Sequence, residues 1–166
     1  MVLLPEGCHR LTSGRLLDYD ALYRECIQPA VSECNLHIVR PRLNVSASVL
    51  NSDRFCELAE HPYCIADLSL PNPVVAYQIG VRHALRSGGT VLTFADAVQM
   101  LFADMDDFSL VYSLSENGSI INPAAVKESL IQRLNKCAEG HPDSPALHAL
   151  AGDVSSCKRT GEGALS

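Results

Sequence analysis

The chain predicts a three-layer α/β domain built on a mainly parallel sheet of about five strands. Three observations carry that expectation. Short apolar runs recur at residues 1–5, 36–39, 63–68, 90–94 and 109–114, stretches with apolar residues at helical spacing separate most of them, and no segment repeats another. Strands that alternate with helices in this way pair in parallel and leave helices on both sheet faces.

Bulk properties bound the function. With 166 residues, 47% of them hydrophobic and 19% charged, the chain is long enough and apolar enough for one globular domain with a real core. We expect that domain over residues 1–150, followed by a flexible tail over 151–166 that is rich in Ser, Gly and Thr. A formal net charge of −6 and scattered basic residues, with only Arg40/Arg42 and Lys158/Arg159 close together, argue against a nucleic-acid partner. No eighteen-residue apolar window exists and the opening apolar run meets Glu6 at once, so neither a membrane span nor a secretory leader is expected, and the protein is read as cytoplasmic. The seven cysteines lie far apart without C-x-x-C spacing. They read as reduced thiols, mostly in the core, and no metal or resident cofactor is expected.

Each element has a local reason. The run at 1–5 is a strand ended by Pro5, and residues 6–17 are read as a long loop. Asp18 or Asp20 caps a helix carrying Leu22, Tyr23, Cys26, Ile27 and Val31 inward, with Pro29 placed to kink it or end it. A short strand at 36–39 follows, then a small polar stretch with Ser46 and Ser48. Asn51 or Ser52 opens a helix through Glu60, with Phe55, Leu58 and Ala59 inward. The strand at 63–68 ends in an acid, Asp67. Asn72-Pro73 then begins a helix through Arg86, with a cap and a first-turn proline in their favoured places. Residues 87–89 turn into the strand at 90–94, and Asn122-Pro123 opens the last helix, through Cys137.

The Asn72 helix is the candidate site. Ligands of open α/β sheets bind beyond the carboxyl ends of the strands, where such a helix begins. Counting along it, Ala76, Gly80 and Ala84 form a small-residue stripe read as the face pressed on the sheet. Gln78 is then turned towards the rim, above the strand ends. From spacing alone Gln78 fits a solvated amide as well as a ligand contact. Asp67 fits a turn cap or a ligand hydroxyl acceptor, and Arg82-His83 fits charges complementing the helix dipole or a ligand clamp.

The run A-D-L-S-x-x-N-P-x-V-x-Y-Q-I-G-V-R-H-A-L over residues 66–85 resembles a motif, ADL-x-x-x-NPNVFYELGxRHAL, of the bacterial domain found at the front of TRAF-binding-region proteins, which include relatives of the mitogen-activated kinase kinase kinases. L-L-P-E-G with D-Y-D-A-L-Y-x-x-x-I-x-P-A-V, and the later Asp143-Ser144-Pro145 element, resemble that family's opening and closing patterns. The family resembles the wider group of nucleoside 2-deoxyribosyltransferases and TIR domains. That resemblance implies a flavodoxin-like sheet and a site for the N-glycosidic bond of a nucleoside, a nucleotide or NAD. It places position 78 beneath the anomeric carbon as the catalytic residue, with Asp67 beside it in the catalytic set, and gives ribose hydroxyls to Asp67 and Asn72. A phosphate would go to Pro5, Glu6 and Gly7 with the helix N-terminus, Arg82 balancing its charge, and Tyr77 and His83 belong to the matching pattern. The group carries a catalytic Glu where this chain has Gln78, and an amide supplies neither the nucleophile nor the negative charge that an oxocarbenium-like centre needs. Two functions follow: a glycosidase-type site silenced naturally or by a deliberate Glu-to-Gln exchange, or a non-catalytic signalling scaffold that self-associates.

Overall fold

The computed structural model describes residues 1–41, 43, 52–96, 98 and 109–145. The expected strand–helix alternation gives β1 (Val2–Leu3), β2 (Cys8–Arg10), β3 (Leu16–Asp18), α1 (Tyr19–Leu22), α2 (Gln28–Glu33), α3 (Ser52–Glu60), β4 (Cys64–Asp67), α4 (Pro73–Leu85), β5 (Thr90–Ala95), β6 (Ser109–Tyr112) and α5 (Pro123–Ala138). β1, β4, β5 and β6 form one parallel sheet in the order β1-β4-β5-β6.

The sheet has four strands rather than about five. The stretch at 36–39 runs extended beside β1 and meets it through one bond, Val2 N–H to Val39 O at 2.8 Å, without a regular ladder. Its partner is short: Pro5 and a tight turn end β1 early, so little edge remains to pair with. The region expected to be a loop at 6–17 instead holds an antiparallel hairpin, β2 with β3, closed by Gly14 at φ +84°. Its polar tip hid a strand signal only three residues long on each side.

Two apolar layers sandwich the sheet. Val2, Ile65, Val91 and Leu110 pack with Leu22, Ile27, Val31, Leu130 and Leu134 of α1, α2, α5 and the turn between them. On the other face Leu3, Ala66, Leu92 and Phe94 pack with Leu58 of α3 and Val75 and Ile79 of α4. This is the flavodoxin-like three-layer arrangement. Leu58 is fully buried, with Phe55 and Ala59 half-buried beside it.

Pro29 does not end its helix. A π-helical turn over Tyr23–Ile27 joins α1 to α2, the widened turn giving room where a proline removes an N–H and crowds the preceding carbonyls. Asp18 is the cap, accepting from Asp20 and Ala21 N–H. The cysteines divide: Cys26 and Cys64 are buried, Cys34 and Cys137 partly so, and Cys8 and Cys56 are exposed, so fewer thiols are core residues than expected. Ser46, Ser48, Cys157 and the proposed tail lie outside the described residues. No described helix is long and apolar enough to cross a membrane.

Candidate functional site at the carboxyl edge of the sheet

From β1 the chain passes through α1 and α2 to the 36–40 stretch on one side, then through α3 to β4 on the other. Val2 N–H points to Val39 while Ile65 N–H is bonded to Met1 O, so the two neighbours flank β1 on opposite edges. In open α/β sheets a reversal of this kind is where ligands bind, here beyond the carboxyl ends of β1 and β4. Pro5, Glu6 and Gly7 leave β1 there, Asp67 ends β4 there, and Asn72 starts α4 there.

Asp67 lies in the floor, 2% exposed. Its Oδ1 accepts the Ser69 N–H at 2.9 Å, and its Oδ2 accepts the Thr93 hydroxyl at 2.7 Å and the Tyr112 hydroxyl at 2.9 Å. Ser69 Oγ in turn bonds the Tyr112 hydroxyl at 3.1 Å and accepts the Ala95 N–H at 2.7 Å. The buried Tyr19 hydroxyl lies against the same carboxylate outside hydrogen-bonding geometry. Burial pushes the Asp67 carboxyl above its ordinary range despite these donors, and pushes the Tyr112 hydroxyl up as well, with Asp67 adding to it. The acceptor positions expected to hold ribose hydroxyls are thus occupied by Thr93 and Tyr112. Asn72 spends its Oδ1 on the helix start, accepting from Val74 N–H at 2.9 Å and Val75 N–H at 3.3 Å.

Gln78 does not stand at the rim. It is fully buried, at 0% exposure, on the same inner face of α4 as Val75, Ile79 and Arg82. The small stripe of Ala76, Gly80 and Ala84 faces solvent, and a Cβ at Gly80 would meet no atom within 4 Å. The expected orientation of the helix is therefore corrected by about half a turn. Large side chains, not small ones, fill the space against the sheet and α3. Tyr77 is turned outward, its ring 6.2 Å from that of Phe55.

Arg82 and His83 belong to the opposite edge. Arg82 is fully buried and its guanidinium donates from Nε to Thr90 Oγ1, from Nη1 to Leu58 O and His61 O, and from Nη2 to Pro62 O and Gly89 O, at 2.7–3.1 Å. These contacts use all five donors of an arginine. They lie at the amino ends of β4 and β5, so Arg82 is a structural clamp and does not balance charge at the carboxyl edge. His83 is buried beside it; its carbonyl accepts the Ser144 hydroxyl at 2.8 Å, and burial lowers its imidazole pKa.

Sequence reasoning missed Arg40 and Tyr19. Arg40 follows the extended 36–39 stretch and reaches the turn after β1, donating from Nη2 to Pro5 O at 2.7 Å. A polar residue just beyond an apolar run was the available signal, as it was for Asp67. Among the described residues, no group of three His, Cys, Asp or Glu side chains could hold a metal. No protein-family model, curated protein or solved structure matches the chain. The class that its coordinates define is the flavodoxin-like α/β domain.

Proposed function

We propose that the domain holds a nucleoside-type ligand (a nucleoside, a nucleotide or NAD) in the crevice between the carboxyl ends of β1 and β4, and that it does not cleave the ligand's N-glycosidic bond. What supports the binding half is the meeting of the Pro5–Gly7 turn and the start of α4 at the reversal of strand order, together with the motif resemblance of residues 66–85. What supports the silent half is one observation: position 78 carries a neutral amide and is fully buried. A buried amide cannot act as nucleophile or counter-charge to a developing ribosyl cation. The same reading assigns the domain to the cytoplasm, its six described cysteines being free thiols.

The test is to titrate the chain with nucleosides, their phosphates and NAD by calorimetry while assaying released base chromatographically, beside a Gln78→Glu variant. Binding without base release by the natural chain is expected. Release only by the variant marks a silenced glycosidase. Turnover by the natural chain, or no binding by either protein, overturns the reading.

A second reading, self-association in a signalling scaffold, is favoured by the edge strand β6. Asp96 N–H donates to Tyr112 O, so the backbone groups of Val111 point away from β5. Val111 and Ile121 are half exposed beside a groove of about 270 Å³ between β6 and α5. Light scattering on the natural chain and on Val111→Lys distinguishes a dimer closed through this edge from a monomer.

A further inference from the structure

The turn after β1 was expected to receive a phosphate, and the structure shows what already sits on it. Gly7, at φ +76°, points its N–H at Asp20 Oδ2, 3.1 Å away. Arg40 Nη2, held by Pro5 O at 2.7 Å, lies 3.4 Å from Asp20 Oδ1, and the guanidinium carbon stands 4.7 Å from the centroid of the Tyr23 ring. One carboxylate therefore bridges the backbone donor and the cation that would otherwise attract an incoming anion. The neighbouring donors are committed as well: Asp20 and Ala21 N–H to Asp18 Oδ1, and Val74 and Val75 N–H to Asn72 Oδ1. Arg82 is spent at the far edge. Among the described residues Glu6 lies in the turn, Asp18 pairs with Cys8 just after it, and Asp20 accepts its Gly7 N–H. Arg40 is the permanent cation among them, and His9 turns Nε2 to Glu6 O at 2.9 Å. Among the described residues, a Cβ on Gly7 would meet no atom within 4 Å.

We propose that Asp20 and Arg40 set the ligand class of this crevice: the Asp20 carboxylate occupies the anion position of the Pro5–Gly7 turn, so the crevice admits an uncharged nucleoside and turns away phosphorylated forms. The inference rests on the ligand reading of the crevice given above, and narrows it. A phosphate brought beside Asp20 meets like charge at a partly exposed site, where a few ångströms' separation costs about fivefold in affinity.

The test compares adenosine, inosine, cytidine and thymidine with their 5′-monophosphates and NAD by calorimetry at low salt, on the natural chain, Asp20→Asn and Arg40→Gln. The nucleoside should bind the natural chain about fivefold more tightly than its monophosphate. Asp20→Asn keeps an acceptor for Gly7, removes the charge and frees Arg40, so it narrows the gap. Arg40→Gln leaves the carboxylates unopposed and widens it. If Asp20→Asn fails to fold, Arg40→Gln still carries the test. A monophosphate or NAD binding the natural chain as tightly as the nucleoside overturns this inference while the crevice remains a ligand site. Absence of binding by every probe overturns both readings together.

Discussion

Asp143 Oδ2 accepts the backbone N–H of Thr90 at 2.6 Å and so fastens the segment after α5 to the first residue of β5. The same oxygen receives the Cys137 thiol at 3.5 Å, and Asp143 and Ser144 N–H both bond Ser87 O. The Asp143-Ser144 element thus seals the amino edge of the sheet. Burial first, and Asp143 second, hold the Cys137 thiol at about 12, so it stays protonated at neutral pH. Replacing Asp143 by Ala strands the buried Thr90 N–H and should cost about 1–3 kcal/mol in urea unfolding. A midpoint equal to the natural chain's would remove the seal from this account.

Arg82 is the heavier fixture of that edge. Arg82→Lys keeps the charge but cannot reach four carbonyls and a hydroxyl at once. We expect a loss of about 3 kcal/mol or more, read by the urea midpoint at constant slope. A loss near that of a surface substitution contradicts the clamp.

Two glycines separate the faces of the structure. At Gly89, φ +90°, an added Cβ would lie 2.0 Å from Pro62 O, so Gly89→Ala should unfold the edge by several kcal/mol. At Gly80, outward on α4 with open space around it, Gly80→Ala should raise stability by about 0.5–1 kcal/mol. Thermal melting of the pair decides the orientation of α4. If Gly80→Ala destabilises, the small-residue stripe faces the sheet after all.

Asp67 gives stability a pH dependence of known sign. Its folded pKa lies above the ordinary value of about 4 because it is buried. Between the two values the folded state binds more protons than the unfolded one, so this group's contribution declines as pH rises through that window and stays lost above it. Asp67→Asn has no such titration. The unfolding free energy of the natural chain minus that of the variant should therefore fall from pH 4 upward, measured by urea midpoints at several pH values. A difference that grows with pH reverses the assignment.

Gln78→Glu tests burial as well as chemistry. A carboxylate at a site with 0% exposure should cost about 2–3 kcal/mol at neutral pH and less in acid, where it protonates to a near-isostere of the amide. A variant as stable as the natural chain at both pH values places position 78 in contact with water.

Strand and helix alternation was legible because period and punctuation agree: Asn72-Pro73 and Asn122-Pro123 start α4 and α5, and Asp18 caps α1, as their residue types dictate. The β2–β3 hairpin was not legible, since strands of three residues around a polar turn carry too little pattern. The carboxyl-edge position of Asp67 and Asn72 followed from strand order. The rotation of α4 did not, because a Gly/Ala stripe suits both close packing and an uncrowded outer surface. Only tertiary contacts with α3 choose between them. The role of Arg40 was not legible, because it depends on a turn 35 residues earlier in the chain.

The Asn72 helix spans both ends of the sheet, and its motif divides accordingly. The Asn-Pro start addresses the crevice, whereas the R-H segment anchors carbonyls at the far rim. The second half is needed for the far rim to hold together, whatever the first half binds. Substitutions at the Asn-Pro start and in the R-H segment therefore act on opposite ends of the sheet.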